Sequence, residues 1–214
     1  MTWGKRLFDV VFASILIVLL SPVMAWVCLR LWQKQGAPIF YAAERMKGTQ
    51  QSFRLLKFRT MTVTESDQGV SGGHKASRIT PIGAKLRAKR LDEFPQLWNI
   101  LKGDISFVGP RPPLREYVEK FPELYAQVLR SRPGVTGLAS VRFHRHEERL
   151  LARAKTQSET ETIYTTLCIP KKAQLDTIYQ RNASVCFDLL ILFETVKTLF
   201  RASNSIDRRK TEHQ

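Results

Sequence analysis

Cysteine is scarce: 3 in 214 residues, too few for a disulfide-stapled scaffold. Cys28 lies inside an apolar run, and Cys168 and Cys186 stand far apart with no C-x-x-C or zinc-type spacing, so all three read as free thiols. An odd, unpaired set fits a reducing compartment, which places the soluble part of the chain in the cytoplasm. Only 11 glycines are present, and that excludes a collagen-like chain. Acidic residues are also short, 19 Asp+Glu against 34 Lys+Arg for a net charge of +15. Such a balance points to an anionic partner, whether nucleic acid, anionic lipid or a phosphorylated substrate, and charge alone does not choose among them. No G-x-G-x-x-G follows a strand, no Walker A sequence occurs and no Ser or Cys nucleophile motif is found, so dinucleotide and P-loop readings fall. Internal repeats are absent. A mean hydropathy of −0.21 leaves room for one membrane segment at most, while 43% hydrophobic residues suffice for one domain with a core.

That one segment runs from Leu7 to Trp32, apolar apart from Asp9, Ser14, Ser21 and Arg30. It exceeds the h-region of a secretory signal and lacks an A-x-A-like cleavage site, so it is expected to be retained. Ser21-Pro22 falls near its middle, where a proline removes a backbone hydrogen bond and predicts a sharp kink. Lys5 and Arg6 precede the run and Arg30 and Lys34 follow it, so the positive-inside rule pulls both ends to the cytoplasm. A re-entrant helix-break-helix satisfies both features. A kinked single-pass helix is the alternative these residues leave open.

Beyond the apolar run, IFYAAERM and SFRLLKFRTMTV around a turn at Lys47-Gly48-Thr49 predict a β-hairpin. Glu65 to Ala76 is polar and rich in Gly and Ser, the composition of a mobile loop. Thr80-Pro81 has the form of an N-cap followed by proline at the first helical position. Pro95 should open a further helix that ends at Gly103. Ser106 to Pro113 and Arg132 to Gly137 read as loops, and Arg115 to Arg130 and Glu147 to Thr162 as helices. Asp188 to Phe200 is amphipathic, fitting either a packing helix or one lying in a membrane interface. The tail from Asn204 should fray.

Cations crowd around one acidic pair: Lys57 and Arg59 on a strand, Arg87 on a helix, Asp92-Glu93 before Pro95, and Arg111 between Pro110 and Pro112. Asp92 and Glu93 fit two roles at this point. They can cap the helix near Pro95, where its dipole favours acids. Alternatively, a carboxylate facing a basic pocket can attack phosphorus once a divalent cation neutralises the phosphate oxygens. The flanking prolines favour the second reading, because they place the Arg111 guanidinium for phosphate at low entropic cost. His144 and His146 would share a face on a strand, but no third metal ligand with suitable spacing accompanies them.

KRLFDVVFA with the Ser21-Pro22 break, KFRTM at Lys57 to Met61, RITPIGAKLR, LDEFPQLWNILKGDISFVGPRP from Leu91 to Pro112, and RPGVTGLA from Arg132 to Ala139 together resemble the bacterial sugar transferase family, the monotopic polyprenyl-phosphate phosphoglycosyl transferases. The resemblance implies an α+β fold, mainly helical with a small β-hairpin, an N-terminal re-entrant membrane helix-break-helix and interfacial amphipathic helices. It divides the chain into a membrane helix at 1–36, a cytoplasmic catalytic domain at 37–200 and a polar tail at 201–214, the minimal form without a multi-span extension. It implies a catalytic pair, Asp92 and Glu93, in which the aspartate attacks the β-phosphate of a UDP-sugar, releases UMP and holds the phosphosugar until polyprenyl (undecaprenyl) phosphate takes it. Mg2+ assists, shared between Asp92 and the substrate phosphates. Carried over by position, Arg87 and Arg111 bind phosphate, Lys57 and Arg59 belong to the site framework, and Thr136 lies near the nucleotide. The implied setting is the cytoplasmic face of the bacterial inner membrane, at the first membrane step of a polysaccharide such as exopolysaccharide, capsule or O-antigen. A homodimer is left open. After Ala139 the chain departs from many members, reading Ser140-Val141-Arg142-Phe143-His144. A nucleic-acid module is the rival, and no helix-turn-helix or aromatic-interleaved basic surface supports it.

Overall fold

The computed structural model describes residues 2–63 and 78–211, with side chains up to residue 198; the loop expected from Glu65 to Ala76 falls outside them. The first element, α1, is a single helix over Trp3–Gln35 with Pro22 inside it. Helical structure therefore continues through the position where a break was expected. Proline cannot donate to the Val18 carbonyl four residues back, and the Ser21 hydroxyl does so instead at 2.8 Å, satisfying the group that proline frees.

One face of α1 meets the rest of the chain along its whole length. Lys5, Asp9, Ala13, Val27 and Leu31 are buried, and Leu16, Ile17, Leu20 and Met24 are partly buried against the core between them. The spacing of three and four residues keeps these positions on one stripe. The opposite face, including Leu7, Val11, Val18, Leu19, Trp26 and Trp32, is exposed and apolar. By length and composition α1 is the one described helix able to cross a membrane, with a window of mean hydropathy 2.5.

Strands β1 (Phe40–Met46) and β2 (Ser52–Phe58) form the expected antiparallel hairpin, with Tyr41 opposite Lys57 and Phe40 opposite Phe58. Helix α2 (Pro81–Ala88) begins as its sequence predicts, the Thr80 hydroxyl accepting from Gly83 N–H at 3.1 Å. Gly83 has a separate reason to be glycine, because a Cβ there would collide with the Thr60 carbonyl. A 3-10 turn over Leu91–Glu93 leads into α3 (Gln96–Lys102), which ends on Gly103 at φ +83°.

The two segments expected as loops pair instead as short parallel strands, β3 (Ser106–Val108) and β4 (Gly134–Thr136). Their prolines fall at the ends, where no ladder donor is lost: Ser106 N–H donates to the Pro133 carbonyl and Gly134 N–H to that of Pro110. Gly109 permits this crossing, since a Cβ on it would run into the Arg132 carbonyl.

The helix expected over Arg115 to Arg130 is split by Pro122 into α4 (Arg115–Lys120) and α5 (Pro122–Val128). The next expected helix, Glu147 to Thr162, is instead α6 (Leu138–Leu151) and α7 (Gln157–Ile163), divided where the Thr156 hydroxyl caps α7 by accepting from Glu159 N–H. A π-turn over Tyr164–Cys168 joins α8 (Ile169–Arg181), and α9 spans Val185–Thr211, continuing through the region read as a fraying tail. That stretch, Arg201 to Thr211, contains neither proline nor glycine to stop a helix. Leu190 and Phe193 of α9 are exposed.

Asp176 of α8 is buried, and its Oδ1 has no hydrogen-bond partner among the described residues. Burial pushes its carboxyl up to about 7, with Lys172 opposing only in part. An unfolded aspartate titrates near roughly 4. Between these values the folded chain holds a proton that the unfolded chain has lost, so stability falls as pH rises through that window and levels off above it. Asp176→Asn should therefore gain thermal stability over the parent by a margin that widens from pH 5 to pH 8, by a few kcal/mol at most (roughly). A margin independent of pH would show that Asp176 titrates normally.

Candidate active site

The 3-10 turn between α2 and α3 carries the acidic pair. Arg90, just before it, has φ +55°, the one non-glycine residue with positive φ among those described. A left-handed arginine costs of order 1 kcal/mol, and here it turns the chain so that Asp92 and Glu93 leave the helical path.

Glu93 sits in a cage of cations. Its carboxylate accepts from Lys57 Nζ at 3.0 Å, and Arg90 and Arg111 approach to 3.8 and 4.0 Å. Burial alone would raise its pKa, but Lys57, Arg111 and Arg90 outweigh burial and hold it below the usual range. Asp92 is buried beside it, and burial together with the Glu93 charge raises its carboxyl despite Lys57 and Arg87. Burial lowers the Lys57 ammonium, offset in part by Glu93. Arg87 is held by donating from Nε to the Thr60 hydroxyl at 2.8 Å. Neither carboxylate makes the side-chain cap expected of a residue that merely starts a helix, and α3 has no side-chain capping bond.

Lys57, Arg87, Asp92, Glu93 and Arg111 are thus gathered at one place. Arg59 and Thr136 are not. The Arg59 guanidinium, buried, turns to the end of α1 and donates to the carbonyls of Gln35 at 2.6 Å, Gly36 at 3.0 Å and Ala37 at 3.2 Å. Thr136, on β4, shares a hydrogen bond with Thr195 of α9 at 2.9 Å. His144 and His146 lie on α6, where residues two apart do not share a face, and no group of three metal-binding side chains occurs among the described residues.

Two contributors to the site escaped the sequence reading. Thr60 orients Arg87, and Arg90 adds a third cation to Glu93. A further ion pair, Lys172 with Glu147 at 2.9 Å between α8 and α6, lies within electrostatic reach of Arg111. An apolar cavity of about 320 Å³ opens beside the pair's own turn. It is lined by Phe94, Pro95 and Trp98, by Leu56 next to Lys57, and by Ile17 and Met24, which bracket Ser21-Pro22 on α1.

A family model described as bacterial sugar transferase matches residues 1–202. The chain belongs to the bacterial sugar transferase family. It is similar to the exopolysaccharide production protein ExoY of Rhizobium meliloti, 32% identical over 90% of this chain and 84% of that protein. The UDP-glucose:undecaprenyl-phosphate glucose-1-phosphate transferase of Caulobacter vibrioides is 34% identical over 94% of this chain and 71% of its own length. The UDP-glucose:undecaprenyl-phosphate glucose-1-phosphate transferase of Klebsiella pneumoniae is 32% identical over 90% of this chain, which spans 39% of that longer protein.

Lys57 is the closest partner of Glu93, and both side chains are largely buried. Lys57→Met should cost about 2 kcal/mol by stranding Glu93, less than a fully buried pair because two arginines remain. The double variant Lys57→Met/Glu93→Gln should recover much of that loss in thermal unfolding. Equal melting temperatures for the parent and Lys57→Met would mean the pair carries no stability.

Proposed function

We propose that the chain transfers a sugar-1-phosphate from a UDP-sugar to polyprenyl (undecaprenyl) phosphate, with Asp92 as the nucleophile. The observation that carries this reading is a buried carboxylate, Asp92, within electrostatic reach of Lys57 and Arg87, next to Glu93, which Arg111 approaches, and beside an apolar cavity that begins at Phe94. The cations bind and screen the diphosphate so that a carboxylate can approach phosphorus. An Asp92 oxygen bonds to the β-phosphorus while the bond from phosphorus to the bridging oxygen breaks, and UMP leaves with that electron pair. A phosphate oxygen of the polyprenyl phosphate then attacks the same phosphorus, the bond to Asp92 breaks, and the lipid diphosphosugar forms with the carboxylate regenerated. Relatives named for UDP-sugar and undecaprenyl phosphate support this choice of donor and acceptor.

The raised carboxyl of Asp92 sharpens its nucleophilicity once ionised, and Arg111, held between two prolines, takes phosphate oxygens through a planar fork. Glu93 remains tied to Lys57 and so keeps the cations in place. Because no group of three metal-binding side chains occurs among the described residues, a hard divalent cation here would be carried largely by substrate phosphates, with Asp92 as the protein carboxylate. Mg2+ held there would neutralise phosphate oxygen charge.

The lipid tail has a place to go. The cavity walls begin at Phe94, the residue after Glu93, and α1 and α9 present apolar faces to the outside. We place α1 as a re-entrant helix on the cytoplasmic face of a bacterial inner membrane, both ends on one side, because both ends dock on the same body. The product would begin assembly of an exopolysaccharide or related glycan.

With UDP-sugar and no lipid, the parent enzyme should release UMP up to about one equivalent per site and become labelled with phosphosugar, as expected of a covalent intermediate. Asp92→Asn keeps the shape and should lose both label and turnover. Turnover by the parent without any adduct after millisecond quenching would favour direct attack by the lipid phosphate.

A further inference from the structure

Arg111 is placed by the short segment that follows β3, and the root of that segment is held by groups from three other elements. Lys5 Nζ of α1 donates to the Val108 carbonyl at 3.1 Å, to the Tyr179 hydroxyl at 3.1 Å, and to Asp188 Oδ2 of α9. The ammonium has three N–H groups, and all three find acceptors. Tyr179 of α8 has one phenolic proton, and its contact with Asp188 Oδ1 at 2.7 Å is shorter than that with the Val108 carbonyl at 3.1 Å. Lys5, Tyr179 and Asp188 are 8%, 2% and 1% exposed, so water offers no replacement partner. One turn further along α1, Asp9 Oδ1 accepts from the Ser106 hydroxyl at 3.0 Å and from Phe107 N–H at 3.3 Å.

Three successive residues of β3 are therefore fixed from beneath by the first turns of α1. Val108 is followed directly by Gly109, which crosses β4 without clearance for a side chain, and then by the rigid Pro110-Arg111-Pro112. Little backbone freedom remains between the Val108 carbonyl and the Arg111 Cα, from which the side chain reaches toward Glu93. Buried networks of this kind fix geometry strongly, since a partner lost by movement of one member is not replaced by water.

We propose that Lys5, Tyr179 and Asp188 are positioning residues for the transfer reaction: by fixing the Val108 carbonyl they set the Arg111 guanidinium against the substrate phosphate, so the phosphate site is complete only when the first turn of α1 is docked. The proposal rests on the assignment of Arg111 to the phosphate. It gives α1 a second role beside anchoring.

A binding cycle separates positioning from general stability. The probe is UDP, titrated calorimetrically into the full chain in nanodiscs, for the parent, Tyr179→Phe, Arg111→Ala and the double variant. Tyr179→Phe removes the phenolic proton and should weaken UDP several-fold, while in the Arg111→Ala background it should have no further effect, because its action passes through Arg111. Asp188→Asn, which weakens the same network differently, should give the same non-additivity and serves if Tyr179→Phe fails to fold. Equal weakening in both backgrounds, or unchanged affinity in Tyr179→Phe, would overturn the proposal. Arg111→Ala with undiminished UDP affinity would instead refute the phosphate assignment on which it rests.

Discussion

A lysine ammonium is buried at the base of this fold, and burial of such a charge is costly unless every N–H is met. Lys5 meets the condition by joining α1 to Val108, Tyr179 and Asp188. Arg6, the next residue, donates to the Ile100 and Leu101 carbonyls, both at 2.7 Å, where cations favour the end of α3. At the far end of α1, Arg59 closes on the carbonyls of Gln35, Gly36 and Ala37. The helix is thus keyed at each end to the elements that carry the proposed site: β2 with Lys57, α3 after the acidic pair, and β3 before Arg111.

This keying explains how so apolar a helix belongs to the same folded body. Between the polar anchors lies a stripe in which Val27 and Leu31 are buried against Phe58 and Leu86, each such side chain contributing about 1.5–3 kcal/mol. The opposite face keeps its tryptophans and leucines exposed. A helix held this way has both ends docked on one body, and the proposed re-entrant placement keeps them on one face, whereas a crossing of a hydrocarbon core of about 30 Å would put them on opposite faces.

Much of this was legible in the chain. The hairpin followed from the turn at Lys47-Gly48-Thr49, α2 from Thr80-Pro81, and the end of α3 from Gly103. Asp92, Glu93, Lys57, Arg87 and Arg111 were readable as a set because cations surrounding a lone acidic pair are unusual. The parallel pairing of β3 and β4 was hidden by prolines, which lie just outside the ladder. Arg59 was legible as a cation near the site but not as the clamp on α1, because its partners are backbone carbonyls that carry no residue signature. Lys5 and Arg6 were read as topological charge when they also tie α1 to the body, Lys5 buried and Arg6 partly buried. A signal existed: Lys5 and Asp9 stand four apart at the edge of an apolar run, on the face that Ala13 continues.

In the proposed topology both ends of α1 lie on one side of the membrane and on one body. Cysteines placed singly at Thr2 and at Lys34, in a chain whose three natural cysteines are replaced by alanine, test it with a membrane-impermeant maleimide on sealed inner-membrane vesicles of both orientations. Both positions should label in inside-out vesicles and neither in right-side-out ones. Labelling of Thr2 only in right-side-out vesicles would contradict it.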